Sequence, residues 1–281
     1  DPAALESRLR LEARRLASQD HAFVVQVFAV GRTTRSAELA SGGAIPADGV
    51  WMAMERADGE PLSDRLRRGP VDDVRGLLLQ LLEALAACHA RDLVHSDLKP
   101  DNIVVEADGR TRLLDLGVAR AVGEHADTVT GTPTYMAPEQ WERRPADLRS
   151  DLYALGMVAH LLLTGHRAVR GTVEEVRMQH QRGVSVDVGA PAIDAWLQRL
   201  VARYPSDRFA SAVEAAHALR AIPEEDWTPS MPTDPGASMS TGDATWVFDA
   251  EPVGHEPPPA PASARTSHAP LPSSPGFRDP G

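Results

Sequence analysis

Residues 95–102 read HSDLKPDN, placing a carboxylate at Asp97, an ammonium two positions on at Lys99 and an amide five positions on at Asn102. A second carboxylate, Asp115, follows 13 residues later in LLDLG. Oxygen ligands and one point cation in so short a span suit Mg-nucleotide chemistry. Magnesium takes hard oxygen donors and keeps substrate phosphates among its ligands. Phosphoryl transfer, for its part, asks the protein for positioning and charge neutralisation rather than for a covalent intermediate. Of the 29 basic residues, Lys99 is the one lysine and all the others are arginine. A lysine kept against that bias marks a place where a compact ammonium is needed and a planar guanidinium will not serve. Aspartates taken singly are common turn formers; the joint spacing of Asp97 and Asp115 is what argues for chemistry.

These residues lie between elements with a readable period. Residues 4–16 form a charged helix with Leu5, Leu9, Glu12 and Leu16 on one side. A β-branched run over 23–30 predicts a strand, 31–49 a polar loop rich in Gly and Ala, and 50–55 a second strand. After the turn ADGEPL and the dipeptide Gly69-Pro70, an amphipathic helix is predicted from about 71 to 90. NIVVEADGRTRLLD reads as two strands joined across Asp108-Gly109, a strong hairpin signal that carries the chain from Asn102 to Asp115. Residues 117–138 show little period. Ser150 opens a helix whose run LYALGMVAHLLL is apolar on nearly every side, as a buried helix is. Further helices are predicted over 172–181, 192–202 and 210–221.

Composition bounds the function. The chain has 281 residues, and its net charge of -11 argues against a general nucleic-acid binder, which needs a basic surface to neutralise phosphates. Cys88, the single cysteine, excludes an intramolecular disulfide and reads as a packing residue of a helix in a reducing, cytoplasmic setting. No stretch approaches 18 uncharged apolar residues, and the opening DPAALESRLR lacks the order of a secretory signal, so no membrane segment is expected. Of 23 prolines, 13 fall in residues 223–281, which read as a Pro-rich disordered tail. Within it Trp246, Val247 and Phe248 form an isolated apolar cluster beside Thr241 and Thr245.

The motifs resemble those of the protein-kinase family, specifically bacterial kinases of the eukaryotic Ser/Thr type. HSDLKPDN is similar to the catalytic loop, DLG at 115–117 to the metal-binding motif usually written DFG, and MAPE at 136–139 to the motif that closes the activation segment. SDLYALG and YPSDRF resemble later signatures of the helical lobe. The resemblance runs from residue 1 to about 222. It implies an α+β, bilobal fold with an incomplete N-lobe sheet and a mainly helical C-lobe. Residues 1–56 would be a partial N-lobe of helix αC and two strands, 57–222 the C-lobe, and 223–281 the tail.

The implied activity is ATP-dependent phosphoryl transfer to Ser/Thr hydroxyls of proteins, with ATP and Mg²⁺ as cofactors and with self-association for autophosphorylation among the partners. On this reading Asp97 orients the substrate hydroxyl and accepts its proton, Lys99 neutralises the γ-phosphoryl, and Asn102 and Asp115 hold Mg²⁺. Lys99 together with Thr132 matches the Ser/Thr-specific pattern. Glu12 matches the αC glutamate, Met54 the gatekeeper, Glu55 and Ala57 the hinge that meets adenine, and Val104 the residue beneath the adenine ring. Ordinary strand-end packing accounts for Met54, Glu55 and Ala57 equally well. Leu16, Val27, His95 and Leu116 match the spine that joins the lobes. Glu139 and Arg208 match a buried ion pair, and Asp151 matches an acceptor for catalytic-loop amides.

Two departures stand out. The chain begins at Asp1 in what resembles helix αC, so the expectation is a fragment of a longer kinase, with the glycine-rich loop and the third-strand lysine upstream. Glu12 then lacks its family-type partner, and weak ATP binding by the piece alone follows. Ser96 replaces the arginine that customarily receives an activation-loop phosphate, which puts control through Thr128 or Thr130 in doubt. Two rival functions remain: a small-molecule phosphotransferase, against which Lys99 and MAPE argue, and a non-catalytic pseudokinase scaffold, against which Asp97, Asn102 and Asp115 argue.

Overall fold

The computed structural model describes residues 21–33, 50–114, 120–121 and 132–227. These all fall within one compact unit, residues 1–236. The expected helix over 4–16, with Glu12 and Leu16, lies outside the described residues, as do Asp115, Leu116, Thr128, Thr130 and the tail beyond 227.

Strands β1 (Val27–Arg32) and β2 (Val50–Met54) pair antiparallel, with Val30 opposite Met52 and Val27 opposite Met54. β1 begins four residues later than the β-branched run suggested, because residues 22–23 turn and Val24 bridges in parallel to Leu113. Strand β3 (Gly59–Pro61) begins after residues 55–58 and is followed at once by α1 (Leu62–Arg68). At Gly59 a Cβ would stand 2.4 Å from the Val105 carbonyl oxygen and 2.7 Å from Val104 Cγ1, so only glycine lets this strand come so close to its neighbour.

Helix α2 (Val74–His89) is capped by Asp73, whose carboxylate accepts the Gly76 N–H at 2.7 Å. It buries Leu78, Leu82 and Leu85 completely. After β4 (Leu93–Val94) come the expected hairpin strands, β5 (Ile103–Glu106) and β6 (Thr111–Leu113), with Gly109 at φ +83° in the connection. β5 is the central strand of the three-stranded sheet β3-β5-β6, and β4 pairs with β7 (Arg120–Ala121).

The remaining helices are α3 (Pro138–Trp141), α4 (Leu148–Thr164), α5 (Val173–Arg182), α6 (Pro191–Leu200) and α7 (Ala212–Arg220). As its composition predicts, α4 is buried from Ser150 to Leu162. It is the axis of the core, packed against α2 and α6, while α7 covers α2. Gly156 permits the approach of α6: a Cβ there would lie 2.7 Å from Val201 Cγ1 and 2.9 Å from Leu200 Cβ. Past α7, Arg75 of α2 donates to the Ile222 carbonyl at 2.8 Å and pairs with Glu224 at 2.6 Å, drawing the turn Glu224–Trp227 onto the domain.

Candidate active site

Asp97, Lys99 and Asn102 of the HSDLKPDN loop and Thr132 beyond it build the centre, and helix α4 suspends the loop. Asp151, buried in the first turn of α4, accepts the His95 N–H at 2.9 Å and the Ser96 N–H at 2.8 Å, and His89 Nε2 donates to it at 2.8 Å. A carboxylate so deeply buried persists only with donors of this kind. It also forces the bend, since Ser96 sits at φ +67°, a conformation that side-chain-bearing residues adopt only when their surroundings impose it. His95, itself fully buried, donates from Nε2 to the Leu114 carbonyl at 2.9 Å, leaving Nδ1 to face the Asp97 amide at 3.4 Å.

Asp97 is thereby presented with its carboxylate 15% exposed. Lys99 Nζ lies 3.0 Å from Oδ2, and the Thr132 amide donates to Oδ1 at 3.0 Å. The Asn102 amide group donates to the Asp97 carbonyl at 2.9 Å and lies 3.4 Å from Oδ2. With its NH₂ committed there, Asn102 keeps Oδ1, a hard oxygen of the kind magnesium takes. The Asn102 carbonyl accepts the Leu114 N–H at 2.8 Å, so the residue that follows β6 and precedes Asp115 is tied to the same loop. Among the described residues no three His, Cys, Asp or Glu side chains form a metal cage.

The structure brings Asp97, Lys99, Asn102 and Thr132 together. Met54 ends β2 partly exposed; Glu55 follows it with its N–H on the Gln26 carbonyl at 2.7 Å and its carboxylate on Arg112 of β6. Val104 is buried on β5 opposite Pro61, beside Gly59 and so close to the segment that contains Ala57. A cavity of about 460 Å³ beside Asp73, Arg75 and Trp227, at the start of α2, shares no residue with this site.

The segment that follows Thr132 is anchored twice. Arg208 binds Glu139 with two bonds of 2.7 and 2.9 Å, with side chains 0% and 4% exposed. The guanidinium also reaches the carbonyls of Ala202, Arg149 and Arg203, and Ser150 Oγ donates to Glu139 at 2.7 Å. Burial pushes the Glu139 carboxyl up, but the Arg208 bonds outweigh it and hold the group below its ordinary value. Next to it, Gln140 donates to the Ser96 carbonyl at 3.0 Å and accepts the Ala137 N–H at 2.9 Å. Gln140, Arg112, Tyr153 and His180 were not singled out as site residues from the sequence. Only the position of Gln140 directly behind MAPE could have flagged it.

A loop bearing Asp97, Lys99 and Asn102, hung from a buried helix and flanked by a β hairpin and by an anchored segment bearing Thr132, has the layout of a protein kinase domain. Residues 3–210 match the protein kinase domain family, and the chain belongs to it. Over 234 residues it is 34% identical to the serine/threonine-protein kinase PknL of Mycobacterium tuberculosis, covering 78% of this chain and 55% of that protein. It is 32% identical over 274 residues to the serine/threonine-protein kinase pkn2 of Myxococcus xanthus, covering 88% and 31%. The probable serine/threonine-protein kinase PknB of Corynebacterium glutamicum is 31% identical over 278 residues, 86% and 41%. The chain therefore spans about half or less of the length of these curated relatives. The α+β kinase fold expected from the motifs is borne out. Among the described residues no helix is long and apolar enough to cross a membrane.

Proposed function

We propose that the chain carries the catalytic lobe of an ATP-dependent kinase that phosphorylates Ser/Thr hydroxyls of proteins. The observation that supports this most directly is the Asp97 carboxylate. One oxygen faces Lys99 Nζ and the other the Thr132 amide, on a loop whose backbone is fixed by Asp151. So oriented, Asp97 receives the acceptor hydroxyl and takes its proton as the bond to phosphorus forms. Lys99, a flexible point charge, neutralises the transferring phosphoryl oxygens. Asn102 Oδ1 and Asp115 would hold Mg²⁺, which when bound supplies charge neutralisation to the phosphates. Met54, Glu55, Ala57 and Val104 would line the adenine side, and Glu12 would support the nucleotide from helix αC. Domain roles follow as residues 1–56 for the small lobe and 57–222 for the large one.

The test is a phosphotransfer assay on the complete parent protein, with a Ser/Thr peptide, beside its Asp97→Asn variant. Loss of at least about 100-fold in kcat with nucleotide binding retained is expected, since a positioned base supplies roughly that much. Equal turnover by parent and variant overturns the assignment. No transfer by either, with intact partner binding, favours a non-catalytic scaffold.

A further inference from the structure

One buried imidazole connects helix α5 to the loop beside Asp97. His180, in the last turn of α5, is 0% exposed. Its Nδ1 lies 2.6 Å from Tyr153 Oη of α4, and its Nε2 lies 3.1 Å from the carbonyl oxygen of Pro133. A carbonyl oxygen can only accept, so Nε2 carries the proton and Nδ1 accepts from the tyrosine hydroxyl. The rings of Tyr153 and Trp141 pack beside the imidazole at centroid distances of 5.6 and 6.4 Å. Burial pushes its pKa down to about 4, so the ring is neutral at physiological pH and this one tautomer serves both partners.

Pro133 opens a tight turn whose preceding residue, Thr132, gives its amide to Asp97 Oδ1. Contacts therefore run without a gap from Tyr153 through His180 and Pro133 to Thr132 and the carboxylate.

We propose that His180 is a positioning residue for phosphoryl transfer: it holds the 132–136 loop through the Pro133 carbonyl and so keeps the Thr132 amide on Asp97. The proposal rests on the kinase reading given above. Its physical basis is that a ring of the same shape without nitrogens would fill the space equally well. Such a ring would leave the Pro133 carbonyl with only the longer 3.3 Å bond from the Met136 N–H, and the turn freer to shift.

The test uses the complete parent protein with His180→Phe, which keeps a ring and deletes both bonds, and His180→Gln, whose side-chain amide restores a donor toward Pro133. Amide hydrogen exchange is read at Thr132, Tyr135 and Met136; the last two close the turn on Thr132 and Pro133 at 3.0 and 3.3 Å. His180→Phe is expected to speed their exchange about tenfold, the order of one lost hydrogen bond, with α4 unchanged. It is also expected to raise peptide KM while leaving ATP KM at the parental value, and His180→Gln to return both readouts toward the parent.

Parental exchange in His180→Phe, or acceleration spread equally through α4, overturns the proposal. Should that variant not fold, Tyr153→Phe removes the hydroxyl that bonds Nδ1 and holds the ring in place, and a smaller, loop-confined acceleration is expected; parental protection there overturns the proposal too. If the loop responds while the parent transfers no phosphate, the coupling stands and the kinase reading falls.

Discussion

Replacing Glu139 by alanine strands a guanidinium in the core. Arg208 is fully buried, and in the native chain its charge is met by two bonds to Glu139 and by bonds to three backbone carbonyls. Breaking a buried pair from one side costs about 3–5 kcal/mol, because the remaining charge stays desolvated. The three carbonyls still solvate Arg208, which places the expected loss near the lower end, about 3 kcal/mol. For a domain of this size each kcal/mol lowers Tm by about 2–4 °C, so a fall of about 6–12 °C is expected. Urea unfolding followed by tryptophan fluorescence is the assay, since Trp196 is buried and bonded to the Ala215 carbonyl. Arg208→Ala and the double variant complete a cycle in which the two losses should be strongly non-additive.

The effect carries a sign in pH. Glu139 in the folded state titrates below its unfolded value of about 4.5. Its contribution is therefore complete above that value and is lost as pH falls through the folded pKa. The gap between parent and Glu139→Ala should accordingly be constant from pH 8 to 5 and narrow below about 4.5. A loss under about 1 kcal/mol at pH 7, the range of an exposed pair, would refute the reasoning, and so would a gap that does not change down to pH 3.

Two further outcomes follow from the same geometry. Asp151→Asn keeps the size of the side chain but can turn only one oxygen toward three donors, so its NH₂ must face the amide of His95 or Ser96, or the His89 ring. Phosphotransfer should fall more than nucleotide affinity, and equal loss of both would show a general collapse instead. Gly156→Ala pushes a methyl into Leu200 and Val201 and should destabilise by about 1–3 kcal/mol in urea unfolding; a neutral result would mean α6 can withdraw freely.

Local spacing carried most of what the sequence revealed. The stretch from Asp97 to Asn102 is one short loop, so residue type and spacing already place its groups together, and the described geometry keeps Lys99 and Asn102 on Asp97. Long periodic helices were legible too: the run predicted over 71–90 forms α2 as Val74–His89, and that over 172–181 forms α5 as Val173–Arg182. Helix α1 was not, because seven residues with only Leu62 and Leu66 buried among their apolar members present too little period. Strand β3 was missed for the related reason that its three residues include a glycine and a proline.

Partners distant in sequence were the least legible. Glu55 meets Arg112 across 57 positions, Ser96 meets Gln140 across 44, and Pro133 meets His180 across 47. Periodicity tells which face of an element is buried but not which element lies against it. Glu139 and Arg208, 69 positions apart, were paired beforehand only through the family resemblance.

Three ties around the loop of residues 95–102 converge on a single turn of helix α4. Ser150 holds Glu139, Asp151 holds the amides of His95 and Ser96, and Tyr153 holds His180 while its ring lies 4.7 Å beneath the Arg208 guanidinium. Two of the ties end on segments without long regular structure, the loop of residues 95–102 and the stretch from Thr132 to Trp141; the third ends on His180 in the last turn of α5, which in turn bonds that stretch through the Pro133 carbonyl. Irregular backbone has few hydrogen bonds of its own to fix it, so its geometry must be borrowed from a rigid neighbour. A helix buried on all sides is a stiff neighbour, because close packing gives its side chains little room to move. This accounts for polar residues at Ser150, Asp151 and Tyr153 in a helix otherwise suited to the core. Apolar replacements would pack as well, but they would release the loop that bears Asp97 and the segment that bears Thr132.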